Sequence, residues 1–316
     1  MSVNKDIIIA LDEGTTNAKA VAFDSHGRVI AQFSRALEIA TPQEGWVEQS
    51  AELLLAASLE AISRTVAAVG AERVAALAIS NQRETVVGWY RETGEAIAPA
   101  LSWQCSRTAA FCHMLREQGH EPQIKAVTGL PVAPLFSAAK MRWLLDHTPK
   151  IKWILDQTPG ARVRARRGEI LFGTVDSWLL WHLTQGQHFC CDYANASRTQ
   201  LMNLQTADWD TDMLALFGIP CAALPVIKPS SGLFGYTAGL ATLPDGIPVM
   251  AMIGDSHAAL FAHGLGATGC VKATYGTGTS VMAPVDSVAC HVSNLATTVA
   301  WHDGEKLVYA LEGNIP

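Results

Sequence analysis

Four short stretches of this 316-residue chain carry the residue types that chemistry needs. Asp12-Glu13-Gly14-Thr15-Thr16 lies between two apolar, strand-like runs. A glycine turn with two hydroxyls can wrap phosphate oxygens through backbone N–H groups, and an aspartate at a strand end can hold a magnesium ion through oxygen. The same pattern also suits a plain hairpin. Tyr275-Gly276-Thr277-Gly278-Thr279 repeats the glycine–threonine theme and carries the same two readings. Neither turn has the spacing of a P-loop or of a dinucleotide fingerprint, which argues against both. Gly254-Asp255-Ser256-His257 follows the apolar run Pro248 to Ile253. A carboxylate at such a strand end can act as general base toward a hydroxyl, or it can cap the helix expected from Ser256 to Gly264. Ser256 and His257 lack the Gly-x-Ser-x-Gly elbow of a hydrolase and are adjacent in sequence, so a nucleophile–base pair is not expected.

The fourth stretch is Asn81-Gln82-Arg83-Glu84-Thr85, with Trp103-Gln104 after it. An arginine, a glutamate and an indole ring can bind a polyhydroxy compound, the charges bonding its hydroxyls and the ring carrying its carbon face. A surface ion pair beside a core tryptophan would look the same. The basic run Arg162, Arg164, Arg166 and Arg167 reads as a solvated face.

Several elements must position these residues. Ile7 to Leu11, Ala18 to Phe23 and Val29 to Ser34 read as strands separated by turns. Glu52 to Val69 has helical spacing, with Leu55, Leu59, Ile62 and Val66 on one face. Val74 to Ile79 and Thr85 to Tyr90 are strands. Ala133 to Asp156 and Ile170 to Leu183 have helical patterns, and Asp255 to Gly264 reads as a helix of small residues. Val271 to Val281 is a strand–turn–strand, and Val308 to Leu311 a further strand. A near-repeat joins Met141–Lys150 to Ile151–Gly160, and Pro149 should interrupt the helix between the copies. The order predicts an α/β fold, a mixed sheet with helices packed on it.

Composition narrows the function. The chain is 49% hydrophobic and 16% charged, which is globular chemistry. Its net charge of −6 argues against duplex binding, and no apolar run approaches the about 20 residues that span a bilayer. The start lacks a signal peptide's apolar core. The seven cysteines are odd in number and include no CxxC, so neither disulfides nor a zinc site is expected. A cytoplasmic setting follows as the expectation, with no nucleic-acid and no membrane partner.

Taken in order, these segments resemble the FGGY carbohydrate kinases, and within them the glycerol kinase branch. The resemblance runs through the four stretches above and through Gly45-Trp46-Val47-Glu48, Trp103-Gln104-Cys105 and Phe136-Ser137 to Lys140. It continues through Arg166–Glu169, Phe172–Asp176, Asn195-Ala196-Ser197-Arg198-Thr199 and Tyr309-Ala310-Leu311-Glu312-Gly313. It implies two ribonuclease H-like domains of the actin-like ATPase kind with a cleft between them. The sugar would lie against the first domain, and ATP and Mg²⁺ mainly against the second. It also implies roles. Asp255 would be the catalytic base, and Arg83, Glu84 and Trp103 would bind the acceptor. Thr15, Thr16, Gly276 and Thr277 would contact the phosphates of ATP, and Asp12 would sit at Mg²⁺.

Three positions depart from the glycerol pocket of the family. Leu135 stands where tyrosine is usual, Ser256 where glutamine is, and Ser280 where phenylalanine is. Smaller groups imply a wider pocket with different hydrogen bonding. The expected acceptor is therefore a small ketose or polyol phosphorylated on a primary hydroxyl, a pentulose such as xylulose ahead of glycerol. Family members run considerably longer, so the expected organisation is a sugar domain over 1–254 and the beginning of an ATP domain over 255–316. A non-catalytic, truncated sugar-binding module is the rival expectation, and an actin-like regulatory ATPase a third. Homo-oligomerisation is left open.

Overall fold

Alternation along the first strand fixes what faces the core. Strand β1 (Ile7–Glu13) buries Ile7, Ile9, Leu11 and Glu13 and turns Ile8 and Asp12 outward, the two-residue period of a pleated strand. The apolar run Ile7-Ile8-Ile9 is thus buried on one face only, with Ile8 exposed. In the computed structural model, which describes residues 5–147, 166–264, 269–275, 279–288 and 295–315, β1 pairs antiparallel with β2 (Asn17–Phe23), and β2 pairs with β3 (Val29–Ala36). Helix α1 (Ala51–Val69) crosses back over this hairpin, capped by the Ser50 hydroxyl on the Leu53 amide at 3.2 Å. Its core face is centred on Leu54, Ala57, Ala61, Ile62 and Val66, not on Leu55 and Leu59, which are only half-buried at its edge. The buried alanines of β2 (18, 20 and 22) leave room for the small residues of α1 to sit close on the sheet.

After the two-residue β4 (Glu48–Gln49) and α1, β5 (Val74–Asn81) enters parallel to β1. Much later β14 (Pro248–Gly254) enters parallel to β5, with β13 (Ser231–Tyr236) antiparallel at its edge. The sheet order is β13-β14-β5-β1-β2-β3. A second sheet joins β4, β6 (Val86–Tyr90), β7 (Ala100–Leu101) and β8 (Ile170–Thr174) in the order β4-β7-β6-β8. Helices α2 (Ala109–Glu117) and α3 (Glu121–Thr128) follow β7. The helix expected over Ala133–Asp156 is shorter at its start. Helix α4 begins at Ser137 and is described to His147, because Pro134 disfavours helical geometry at Ala133. Pro149, the second copy of the near-repeat, Arg162 and Arg164 lie outside the described residues.

The stretch Ile170–Leu183 divides into β8, fully buried against β6, and α5 (Val175–Leu183). Beyond it come β9 (Cys190–Asp192), α6 (Tyr193–Ser197), β10 (Met202–Asn203), β11 (Asp208–Trp209), α7 (Thr211–Phe217) and β12 (Val226–Lys228). Helix α8 (Asp255–Gly264) has the bounds expected from sequence. A third sheet holds β15 (Lys272–Tyr275), β16 (Thr279–Val285), β17 (Ala296–His302) and β18 (Leu307–Ile315), ordered β15-β16-β18-β17. The expected mixed α/β fold is what forms. No helix among the described residues is long and apolar enough to cross a membrane.

Burial leaves two carboxyls poorly solvated. Glu13 is buried with Ser58 bonded to Oε2 and no partner on Oε1 among the described residues, and burial pushes its pKa up to about 8. Asp176, bonded to Thr174, is pushed up to about 7 by burial and by Asp192. Both folded pKa values exceed the unfolded ones, so the folded state binds more protons and this stabilisation is lost as pH rises. The contribution of these two carboxyls to thermal stability should therefore fall between about pH 5 and pH 8. Glu13→Gln should raise stability at about pH 8 by roughly 2–4 kcal/mol and flatten the profile. Calorimetric melting against pH checks this, and a profile unchanged by Glu13→Gln would show Glu13 ionised in the fold.

Candidate active site

Register brings the chemistry together. Glu13 of β1 pairs with Asn81 of β5, and Asn81 pairs with Gly254 of β14. Three neighbouring parallel strands thus end level, and the residues that follow each of them leave the same edge of the sheet. Ligands of open α/β sheets bind outside these carboxyl ends. From β1 come Asp12 and the turn Gly14-Thr15-Thr16, from β5 the link Gln82-Arg83-Glu84-Thr85, and from β14 Asp255.

The link from β5 to β6 is held from behind. The Gln82 amide donates to Glu13 O at 2.7 Å, and its side chain donates to Gly14 O at 3.0 Å. Thr85 Oγ1 donates to Gln82 Oε1 and accepts from the Trp103 amide, and Trp103 Nε1 donates to Thr15 Oγ1 at 2.9 Å. One chain of hydrogen bonds therefore ties the glycine–threonine turn to the expected acceptor residues. Glu84 has φ of +59°, unusual for a residue with a side chain. Its carbonyl accepts from Ser137 Oγ at 3.2 Å and from buried Lys140 Nζ at 3.3 Å, which also reaches Phe136 O at 3.4 Å and Leu135 O. Burial lowers the Lys140 ammonium to about 8.

At the front of the site an ionic chain runs through five side chains. Asp255 Oδ1 lies 3.5 Å from Arg83 Nε, and Arg83 grips Glu312 of β18 through two nitrogens at 2.8 and 3.2 Å. Arg198 Nη1 lies 2.5 Å from Glu312 Oε2, and Arg198 Nε donates to Glu84 Oε1 at 2.5 Å. Side-chain exposure falls from 43% at Asp255 to 9% at Arg83 and zero at Glu312 and Arg198, so the chain runs from the surface into the core. Burial opposes the charge on Glu312, but Arg198 and Arg83 hold its carboxyl well below the usual range. Burial raises the Asp255 carboxyl, with Arg83 and the Ser256 amide pulling the other way. The hydrogen bonds these two carboxylates accept fall on Oδ1 of Asp255 and Oε1 of Glu84. Gly254 is needed by this packing, since a Cβ there would stand 2.6 Å from Arg83 Cγ.

The remaining sequence candidates distribute unevenly. Ser280 joins the ionic chain, its hydroxyl 3.1 Å from Glu312 Oε1. Ser256 lies beside Asp255 and donates its amide to Oδ1 at 2.6 Å. Leu135 is half-buried against Phe136 and reaches the cluster through Lys140. Thr16 is exposed, bonded to the Asn17 side chain, and stands apart from the acceptor cluster. Gly276 and Thr277 lie outside the described residues. His257 turns into the core with Nε2 3.3 Å from Thr298 Oγ1, which agrees with the absence of a Ser256–His257 pair. Asp12 is exposed at the end of β1 with one bond, from Ser80 Oγ at 3.2 Å. An oxygen-only, accessible carboxylate of this kind fits a magnesium ion, directly or through water.

Sequence reasoning missed the roles of Glu312, Arg198 and Lys140. Each sits in a segment that carried the resemblance, but a buried charge reads like a solvated one until its distant partners, 56 to 229 residues away, are known.

This is a mixed α/β fold of the actin-like ATPase kind, with the candidate residues gathered where three parallel strands end. The model of the FGGY family of carbohydrate kinases, N-terminal domain, matches residues 7–262, and the chain belongs to that family. It is 45% identical over 311 residues to an apulose kinase of Pectobacterium atrosepticum, covering 98% of this chain and 60% of that one. It is 42% identical over 317 residues to a glycerol kinase of Burkholderia cenocepacia, with the same coverages. The solved structure of Plasmodium falciparum glycerol kinase with ADP superposes with a TM-score of 0.89 at 27% identity, over 98% of this chain and 61% of that one. The chain thus spans about 60% of the length of the curated relatives it matches.

Proposed function

We propose that this protein acts in the ATP-dependent phosphorylation of a small ketose or polyol, a pentulose such as xylulose ahead of glycerol. The observation that carries the reading is the level ending of β1, β5 and β14, which gathers Asp12, Arg83, Glu84 and Asp255 at one edge. In the mechanism, Asp255 takes the proton of the acceptor's primary hydroxyl while that oxygen attacks the γ-phosphorus of ATP. The bond from this phosphorus to the β–γ bridging oxygen breaks, and ADP leaves. Arg83 donates to one neighbouring hydroxyl, and Glu84 accepts from another. The Trp103 ring covers the carbon chain, its indole N–H already committed to Thr15. Thr15, Thr16, Gly276 and Thr277 are assigned to the ATP phosphates, and Asp12 to Mg²⁺. When bound, that ion neutralises phosphate charge. Residues 1–254 are assigned to the sugar domain and 255–316 to the beginning of the ATP domain. In support, the separate third sheet forms entirely after α8.

The pentulose preference rests on Leu135, Ser256 and Ser280, each smaller than the tyrosine, glutamine and phenylalanine usual there, and a relative named for a ketose agrees with it. Glycerol is the second reading, supported by Arg83, Glu84 and Trp103 and by the relatives named glycerol kinase. Narrowing the pocket with Ser256→Gln and Ser280→Phe together should weaken xylulose binding about tenfold and leave glycerol within about threefold. Titration calorimetry reads both. Function itself is tested by ATP consumption with Mg²⁺ across glycerol, four-carbon polyols and pentuloses. Acceptor-dependent consumption, strongest with a pentulose, supports the kinase reading, and acceptor binding without consumption supports the sugar-binding module. Consumption indifferent to the acceptor would make the protein an ATPase of another kind.

A further inference from the structure

We propose that Arg198 is a positioning residue of the acceptor site, orienting Glu84 directly and Arg83 through Glu312. The proposal rests on the acceptor reading given above. Arg198 is the residue of Asn195–Thr199 that bonds to Glu84 and pairs with Glu312. Asn195 exchanges two hydrogen bonds with Asn81 at the end of β5, at 3.0 and 3.1 Å, and is itself fixed by Asp192 at 2.8 Å. Ser197 Oγ lies 2.6 Å from Thr298 Oγ1 and accepts the Val299 amide at 3.1 Å, which ties α6 to β17. Arg198 therefore projects from a rigid base joined both to the first sheet and to the third.

Its guanidinium stands between two carboxylates that have no bond to each other. Nε takes Oε1 of Glu84, and Nη1 lies against Oε2 of Glu312, while the cation stacks 5.1 Å over the ring of Phe136. Glu84 is thus held by Oε1, and Glu312 turns its carboxylate edge toward Arg83 and Ser280. A planar fork can serve two anions at a fixed angle, whereas an ammonium is a point charge. The arrangement is a poor way to gain stability. Arg198 is fully buried, and neither Nη1 nor Nη2 has a hydrogen-bond partner among the described residues, Nη1 meeting Glu312 as an ion pair alone. Buried ion networks of this kind are often matched in stability by apolar side chains of similar volume. What the fork supplies is the orientation of the two groups that meet the acceptor's hydroxyls, and small errors of position in such groups are costly.

The test measures acceptor affinity apart from folding. Xylulose and glycerol are titrated calorimetrically into the wild-type 316-residue chain, Arg198→Lys, Arg198→Met, Glu84→Gln and the double variant Glu84→Gln/Arg198→Lys, well below each melting temperature. Arg198→Lys keeps the charge and serves if Arg198→Met fails to fold. The expected Kd for the preferred acceptor rises about tenfold in Arg198→Lys and further in Arg198→Met. In the Glu84→Gln background, Arg198→Lys should add less than it does in the wild type, because the direct route through Glu84 is already lost and only the route through Glu312 and Arg83 remains. A purely structural arginine would lower the melting temperature and leave Kd unchanged. Unchanged Kd in both Arg198 variants, with the wild type binding, overturns the proposal alone. Absence of saturable binding by the wild type overturns the acceptor reading and the proposal with it.

Discussion

Asp255→Asn should abolish most phosphoryl transfer and leave acceptor binding nearly intact. The amide keeps the shape of the carboxylate and can still accept from the Ser256 amide, so the start of α8 is preserved. It cannot take a proton from a hydroxyl. General-base assistance contributes about 10²–10⁴-fold, so a loss of about 10³ in kcat is expected in an active kinase preparation. The acceptor Kd should change by less than about threefold, because Arg83 and Glu84 carry the binding and Arg83 keeps Glu312 as its closer partner. Near-normal turnover in this variant would remove Asp255 from the chemistry. Loss of binding in parallel with turnover would instead make it a binding residue.

The second large effect is expected at Glu312. Its carboxylate is fully buried and is the one anion shared by Arg83 and Arg198 among the described residues. Glu312→Ala would leave two guanidinium groups facing each other with no counter-charge between them. Breaking a buried pair from one side costs about 3–5 kcal/mol, far more than the pair contributes when intact. Denaturant unfolding should show a loss of that size, together with acceptor affinity weakened by about tenfold or more as Arg83 loses its anchor. Glu312→Gln keeps the shape and one acceptor oxygen, and should lose less. A stability change within about 0.5 kcal/mol for Glu312→Ala would mean that the ionic chain does not form.

Much of the arrangement was legible because local rules set it. Apolar runs and turn residues located β1, β2 and β3, and placed Asp12, Arg83, Glu84 and Asp255 at strand ends, which lie at one edge of the sheet. Small residues after an apolar strand located α8. The failures have physical causes as well. The strand Ala296–His302 was not anticipated because six of its seven residues are buried, so no alternation marks it. The face of α1 was read a step off because alanines at 57 and 61, not leucines at 55 and 59, meet the sheet. In Ile170–Leu183 a fully buried strand and the helix after it share one apolar pattern, and periodicity alone cannot divide them. Glu13 looked like a turn residue, yet the pleat that buries Leu11 buries it too. The partners of Arg198 and Glu312 are 114 and 229 residues away, and only the fold sets such pairings.

The central claim is that a small polyhydroxy acceptor binds where β1, β5 and β14 end, against Arg83 and Glu84. Calorimetric titration of xylulose and glycerol into the wild-type chain and into Glu84→Gln tests it most directly. Saturable binding with Kd of about 1 mM or tighter is expected, with xylulose ahead of glycerol and both weakened about tenfold or more by Glu84→Gln. Binding that is indifferent to Glu84→Gln, or no saturation up to about 50 mM of either compound, would contradict the account.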